Sequence, residues 1–201
     1  MKSSLIILVC FAAGVLTGWL VPLPRSRELD DYTLYLLCAL LLFVGISVGG
    51  DPHFWQSVRQ RDNLHMALLP LLVVLGTLFG VAVVSLLLPA LPLRDALAVG
   101  AGFGYYSLSS VLLTQMRGET LGVIALLANL MREVATLVLA PLLVRFFGKL
   151  APIASGGATA MDSTLPIIVR FSGKEYSIVA LFSGIVLTAA VPFLILIILA
   201  V

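Results

Sequence analysis

The chain has 201 residues, of which 61% are hydrophobic and only 11% are charged, and its mean hydropathy is +1.15. Soluble domains carry about 25% charged residues, so this composition is typical of a protein whose main solvent is lipid. A net charge of +2 without a clustered basic face gives no reason to expect nucleic acid as a partner.

The amino-terminal part of the chain predicts two membrane helices. The first covers about residues 4–21 and is longer than a signal-peptide core, with no small-x-small cleavage site after it, so we interpret it as a retained helix. The second covers about residues 32–48. The connector "DPHFWQSVRQRDNLH" mixes aromatic and charged residues, which is typical of a membrane interface.

Five further elements follow in chain order. We expect them at about residues 65–88, 95–116, 121–147, 151–171 and 176–201. The sequence therefore predicts an all-α membrane protein, a polytopic transporter bundle with about seven membrane elements in one domain over residues 1–201. Two of the elements are interrupted, and the sequence leaves open whether these are re-entrant hairpins or full crossings.

The two interruptions are "GAGFGYYSLSS" and "SGGATAMDSTLP", which are rich in glycine and hydroxyl groups. Non-helical backbone survives in hydrocarbon only where it faces protein or a water-filled cavity, and broken transporter helices use such sites to hold a substrate carboxylate and coupling ions. We expect free backbone N–H groups there to hold a carboxylate. The alternative is a surface loop, which the near absence of charge disfavours. The candidate binding residues are Gly102, Gly104, Tyr105, Tyr106, Ser107, Ser109, Gly156, Gly157, Asp162, Ser163 and Thr164.

Asp162 is the only ionisable residue between residues 151 and 169. A carboxylate at membrane depth costs several kcal/mol unless it is paired, hydrated or protonated, so Asp162 would bind a cation or carry a proton. The alternative is an interfacial residue that caps the short helix containing Pro166.

The stretch "NLMRE" lies near the middle of the fifth predicted helix. Asn129 shares a helix face with Arg132 and Glu133 through the i+3 and i+4 relations, so this helix turns a polar stripe inward. Arg132 and Glu133 would either form structural ion pairs, with each other or with a partner helix, or act directly in transport.

Pairs of glycines four residues apart occur at 14 and 18, 45 and 49, 76 and 80, and 100 and 104. The first three pairs predict close helix packing, whereas the fourth favours an unwound segment. We expect no cofactor, no metal site and no enzyme, because His53 and His65 lack further ligands nearby and no nucleophile motif occurs.

The chain resembles the LysO lysine-exporter family of bacterial inner-membrane proteins. The resemblance rests on "GFGYYSLSSVLLTQ", "NLMRE" and "GGATAMDSTLP" in the same order. It implies export of L-lysine or related cationic amino acids, driven by an ion or proton gradient. It also implies that Asp162 is the functional acid, with the surrounding glycine and hydroxyl positions forming the substrate path.

Single-chain members of the family carry an additional amino-terminal block of membrane helices with another important acidic residue. The resemblance therefore implies that this sequence begins after that block. A small membrane subunit, a second copy of the chain or a changed function would each account for the difference. The alternatives to a complete exporter are therefore a subunit that needs a partner and a passive pore. We expect the lipid bilayer around the protein and either a homo-oligomer or a hetero-assembly.

Overall fold

The computed structural model describes residues 64–87 and 91–200, together with the single positions 16, 35, 39, 42, 46 and 50. The chain divides into two compact units, residues 1–42 and 43–201, and the architecture below belongs to the second. The first two predicted helices, the aromatic connector and the glycine pairs at 14 and 18 and at 45 and 49 lie outside the continuously described residues.

The described residues contain helices and no β-strand, which confirms the all-α class. The helices are α1 (Leu64–Ser85), α2 (Leu93–Gly100), α3 (Tyr106–Arg117), α4 (Glu119–Phe147), α5 (Ala151–Gly156), α6 (Leu165–Ser172) and α7 (Ser177–Ala200). A 3₁₀ turn at Gly157–Met161 separates α5 from α6, and a second at Lys174–Tyr176 precedes α7.

Three of these helices are long and apolar enough to cross a bilayer. The candidate spans are Leu68–Ser85, Glu119–Phe147 and Lys174–Ala200. The 22 residues of α1 extend about 33 Å, enough for a hydrocarbon core of about 30 Å. The other four described helices have 6 to 12 residues, so none of them can cross alone.

The first broken segment, residues 93–117, consists of α2, a turn and α3. Helix α2 ends at Gly100, and the turn places Phe103 at φ 46° and Gly104 at φ 93°. Positive φ is incompatible with a continuous right-handed helix and is uncommon for a residue with a side chain. The helix therefore stops where the fourth glycine pair predicted an unwound segment.

The second broken segment, residues 151–172, consists of α5, the 3₁₀ turn and α6. Helix α5 ends at Gly156, and Gly157 has φ 63°. Pro166 lies in the first turn of α6, where its missing N–H is tolerated. Thr164, and not Asp162, occupies the capping position of α6, so the capping role considered for Asp162 is not found.

Ion pairs bring the two ends of each broken segment together. Arg117 Nε lies 3.6 Å from Asp95 Oδ1, which joins the end of α3 to the start of α2. Lys149 Nζ lies 3.6 Å from Glu175 Oε1, so the residues before α5 and after α6 are also neighbours. The first pair lies at the Glu119 end of α4 and the second at its Phe147 end.

The carboxyl terminus of α7 lies beside the first of these ion pairs. Arg94 donates from Nε to the Ile198 carbonyl at 2.9 Å and from Nη2 to the Leu199 carbonyl at 2.8 Å. These carbonyls lack partners within the helix, and a cation there also opposes the negative end of the helix dipole. Helix α7 therefore begins near the Phe147 end of α4 and finishes near its Glu119 end.

Helices α3 and α4 pack closely in antiparallel orientation across the single linker residue Gly118. A Cβ atom at Gly122 would overlap the Thr114 hydroxyl and lie 3.0 Å from the Ser110 carbonyl oxygen. In contrast, a Cβ at Gly76 or Gly80 would meet nothing within 4 Å. The close packing predicted for that pair is therefore not found among the described residues.

We predict that Gly122→Ala destabilises the protein by about 1–3 kcal/mol, because the added methyl group separates α3 from α4. Gly80→Ala is the matched control and should be neutral or stabilising by about 0.5–1 kcal/mol, as expected for alanine in an open helical position. Thermal unfolding in detergent micelles measures both. Equal melting temperatures for the two variants would contradict the packing described.

Candidate functional site

The turns of the two broken segments contact each other directly. The Ala158 N–H donates to the Phe103 carbonyl at 2.9 Å. A Cβ at Gly104 would lie 2.9 Å from the Gly156 carbonyl oxygen, and one at Gly157 would overlap the Phe103 carbonyl. Glycine at positions 104 and 157 thus permits both the positive φ values and the contact between the turns. The two interruptions form one site, which we call the turn pair.

Asn129 of α4 satisfies the backbone of the first turn. Its Oδ1 accepts from the Gly104 N–H at 2.8 Å, and its Nδ2 donates to the Val99 carbonyl at 3.1 Å. Nδ2 also reaches the carbonyl of Ala125 at 2.9 Å. The side chain is buried, at 4% exposure. An amide suits this position because it offers both an acceptor for the Gly104 N–H and a donor for nearby carbonyl groups.

Arg132 of α4 satisfies the second turn in a comparable way. Its Nε donates to the Ser155 carbonyl at 2.8 Å, and its Nη2 donates to the Ala154 carbonyl at 3.0 Å. Its Nη1 lies 3.3 Å from the Thr77 hydroxyl of α1. These carbonyls belong to the last turn of α5, where intrahelical donors are missing. Arg132 therefore anchors α5 to α4 and α1.

Among the described residues, no ion pair joins Arg132 to Glu133. The structural ion pair considered from the sequence is therefore not found, because the guanidinium is already occupied by carbonyl groups. Glu133 is buried at 9% exposure, and the described part of the chain offers it neither a hydrogen bond nor a cation.

Asp162 lies on the exposed side of the turn pair. Its Oδ1 accepts from the N–H and the hydroxyl of Ser163. Its charge interacts with Tyr105 of the first turn, and the Tyr105 side chain in turn interacts with Ser107. Asp162 and Ser107 are exposed, and Tyr105 is half-buried. The structure thus gathers a carboxylate and several hydroxyl groups from both broken segments.

Threonine hydroxyls line the buried side of the second turn. Thr159 Oγ1 donates to the Gly156 carbonyl at 2.9 Å and lies 3.5 Å from Thr164 Oγ1. Thr136 Oγ1 lies 2.7 Å from Ser155 Oγ and donates to the Arg132 carbonyl. Thr164 is fully buried, so in this structure it supports the turn and does not face the exposed carboxylate.

Most backbone N–H groups of the two turns donate within the chain. Those of residues 101–106, 157, 158 and 162–164 all have acceptors in the protein. Among the described residues, the N–H groups of Ser107 and Leu108 in the first turn of α3 have no acceptor, as is usual for the first turn of a helix. That free backbone N–H groups hold a carboxylate therefore stays a prediction for this end of α3. The exposed hydroxyl groups near Asp162 are those of Ser107 and Ser163, and the Ser163 hydroxyl donates to Asp162.

The remaining predicted residues serve the packing of the first broken segment. Ser109 is fully buried and donates to the Tyr105 carbonyl at 2.9 Å. A Cβ at Gly102 would lie 2.6 Å from Asn129 Nδ2, so this glycine makes room for the amide. Tyr106 is half-buried at the start of α3.

Sequence reasoning missed Thr77 and Phe103. Thr77 is a lone hydroxyl in the apolar run of α1, a signal that could have suggested a polar partner for Arg132. Phe103 contributes its backbone, and no feature of its side chain predicts that its carbonyl accepts from the opposite turn.

The site lies at the middle of α4. Arg132 is 13 residues after Glu119 and 15 before Phe147, which places its Cα roughly 20 Å from either end of the helix. A cavity of about 380 Å³ between α1, α2 and α4 also reaches this level. Its lining is mainly apolar, and Arg132 is the charged residue that the described chain contributes to it. That cavity therefore does not suit a cation, in contrast to the side that carries Asp162.

In the described residues, no group of three or more His, Cys, Asp and Glu residues could hold a metal ion.

Comparison with known proteins gives the family of the chain. The sequence profile described as "Lysine exporter LysO" matches residues 8–199. The chain belongs to the LysO lysine-exporter family. This membership confirms the resemblance noted from the sequence, and the family is one of transporters and not an enzyme class. No solved structure matches the chain.

Two curated relatives of this LysO family member are similar over most of its length. "Lysine exporter LysO" of Escherichia coli strain K12 is 36% identical over 97% of this chain and 62% of its own length. "Putative lysine exporter" of Haemophilus influenzae strain Rd is 35% identical over 90% of both chains. The chain thus spans about three fifths of the first relative and most of the second.

We predict that Asn129→Ala destabilises the protein by roughly 1–3 kcal/mol, because it leaves the Gly104 N–H buried without a partner. Gln115→Ala removes an exposed amide from α3 and is the matched control, with an expected change below about 0.5 kcal/mol. Thermal unfolding in detergent compares the two. Asn129→Ala with an unchanged melting temperature would show that the amide does not hold the turn.

Proposed function

We propose that this chain exports L-lysine or a related cationic amino acid across the bacterial inner membrane by secondary active transport, coupled to an ion or proton gradient. The observation that carries the proposal is the turn pair itself. It brings an exposed carboxylate, Asp162, together with hydroxyl groups of both broken segments, and α4, which supports both turns, carries the buried Glu133 near its middle. Family membership and the printed names of the two relatives support lysine as the substrate.

The two broken segments are proposed to be re-entrant hairpins that enter the membrane from opposite faces. The ion pair of Asp95 with Arg117 supports one hairpin based at the Glu119 end of α4. The ion pair of Lys149 with Glu175 supports a second based at the Phe147 end. Helices α2 and α6 are each 8 residues long and extend about 12 Å, so their turns then meet inside the hydrocarbon core.

The groups around Asp162 match the charges of lysine. Asp162 binds an ammonium group of the substrate, since a carboxylate and an ammonium form a charge-assisted hydrogen bond. The hydroxyls of Ser107 and Ser163 donate to the substrate carboxylate, and the Ser163 hydroxyl gives up its bond to Asp162 to do so. Arg132 is not assigned to the substrate, because its donors hold α5.

Glu133 supplies the coupling in this proposal. A buried carboxylate without a partner is unfavourable, and either a proton or a substrate ammonium relieves that cost. The two cannot occupy the carboxylate together, so substrate and proton exchange for each other. Antiport of lysine against protons follows from this competition. Association with further copies of the chain or with a small membrane subunit stays a prediction.

We predict that Asp162→Asn and Glu133→Gln each lower gradient-driven lysine export at least tenfold, because an amide binds neither a proton nor an ammonium ion with comparable strength. Glu175→Gln is the matched control, since Glu175 is an exposed partner of Lys149 and export should stay within about twofold of wild type. The measurement is efflux of labelled L-lysine from proteoliposomes with an imposed pH gradient.

Full export by Asp162→Asn or Glu133→Gln would remove that residue from the mechanism. Lysine movement that never exceeds equilibration, whatever pH or sodium gradient is imposed, would favour a passive pore instead. Wild-type protein that moves no lysine at all would contradict the proposed function of the chain.

The topology gives a separate prediction. In a background of Cys10→Ser and Cys38→Ser, cysteines at Lys149 and Lys174 should react with an impermeant maleimide from the same side of the membrane. A cysteine at Arg117 should react from the opposite side. Full crossings would instead place positions 149 and 174 on opposite sides, so labelling of intact and inverted vesicles distinguishes the two arrangements.

A further inference from the structure

Helices α4 and α7 share a pattern of buried positions at a constant spacing of 55 residues. Most of the buried positions of α4 recur in α7 at this spacing, and the pattern becomes informative because the broken segments before the two helices follow the same spacing. The shared positions are Ala125, Asn129, Glu133, Thr136 and Ala140 in α4 and Ala180, Gly184, Thr188, Val191 and Ile195 in α7.

The same spacing relates the two broken segments. The buried hydroxyl residue Ser109 corresponds to Thr164, and the linker Gly118 corresponds to Gly173, with φ values of 97° and 114°. Both glycines join a short helix to the long helix that follows. We infer that residues 98–145 and 153–200 are two structural repeats, although few residue types are identical between them.

The repeats have opposite orientations. The first long helix, α4, starts where Arg117 meets Asp95, whereas the second, α7, starts where Glu175 meets Lys149 at the other end of α4. Repeats of inverted topology in transporters place the substrate site at the interface between them. Here that interface is the turn pair.

Corresponding residues contact the two turns. Asn129 binds the turn of the first repeat, and Gly184 at the matching position lies against the turn of the second, where a Cβ would lie 2.7 Å from Met161 Cβ. Four residues further, one helical turn beyond each contact, α4 carries Glu133 and α7 carries Thr188. Glu133 and Thr188 are therefore equivalent positions on opposite sides of the turn pair.

Thr188 has an unusual environment for a buried threonine. Its side chain is 1% exposed, and the described residues offer Oγ1 no hydrogen-bond partner, a property it shares with Ser172 and Ser183. A helical threonine often donates to the carbonyl four residues earlier, as Thr136 does to Arg132. A buried hydroxyl without a partner is destabilising, and such groups in native proteins call for an unseen ligand or water.

We propose that Thr188 is a substrate-binding residue, whose hydroxyl accepts a hydrogen bond from the ammonium group of the exported amino acid at the position equivalent to Glu133. This inference rests on the proposed function and adds a residue to its site. A neutral hydroxyl opposite a carboxylate gives the two sides unequal affinity for a cation, so the substrate is released more readily on the Thr188 side.

The test is Thr188→Val, which keeps the volume and the branched shape and removes only the hydroxyl. Because the described residues offer that hydroxyl no partner, the melting temperature without substrate should be unchanged or higher. The KM for L-lysine efflux should rise roughly tenfold, the loss expected for a hydrogen bond to a charged group. Thr188→Ser restores the hydroxyl and should restore KM.

Two results would overturn the inference. Wild-type protein that exports lysine while Thr188→Val has the same KM, and the same thermal stabilisation by added L-lysine, would exclude substrate binding at Thr188 and leave the proposed function intact. A lower melting temperature for Thr188→Val without substrate would show that the hydroxyl has a structural partner. Wild-type protein that moves no lysine would reject the proposed function and this inference together.

Discussion

The structure depends on satisfying backbone hydrogen bonds where two helices stop. Each break leaves carbonyl and N–H groups that neither a lipid chain nor a short helix can satisfy, and each orphaned group in hydrocarbon costs several kcal/mol. Side chains of the long helix α4 satisfy these groups. Asn129 supplies both a donor and an acceptor to the first turn, and Arg132 supplies donors to the carbonyls at the end of α5.

This arrangement makes α4 the common support of both breaks. The turns also bond to each other through Ala158 and Phe103, so the position of either turn affects the other. Displacing one turn requires new partners for groups that Asn129 or Arg132 now satisfies. An interface of this kind favours discrete arrangements over gradual ones, since intermediate positions leave buried polar groups unpaired.

The polar residues of the site divide into two chemical groups. Asn129, Arg132 and Thr164 have their hydrogen-bonding capacity committed to the protein, so they fix geometry. Asp162, Glu133 and Thr188 retain capacity that the described residues do not use, and only uncommitted groups can exchange one ligand for another. In the proposed exporter, lysine and protons bind to Asp162, Glu133 and Thr188. Asn129, Arg132 and Thr164 hold the turns in place.

The sequence by itself determined the helical class, the membrane setting and the location of both breaks. Length and hydropathy mark α1, α4 and α7, while glycine and hydroxyl clusters in otherwise apolar runs mark the turns, because these signals depend on local backbone chemistry. Only the tertiary structure decided that the turns touch and that Arg132 binds carbonyls and not Glu133. It also revealed the ion pairs that bring the ends of each broken segment together. These features join residues far apart in the chain, and no local pattern states which distant carbonyl an arginine will reach.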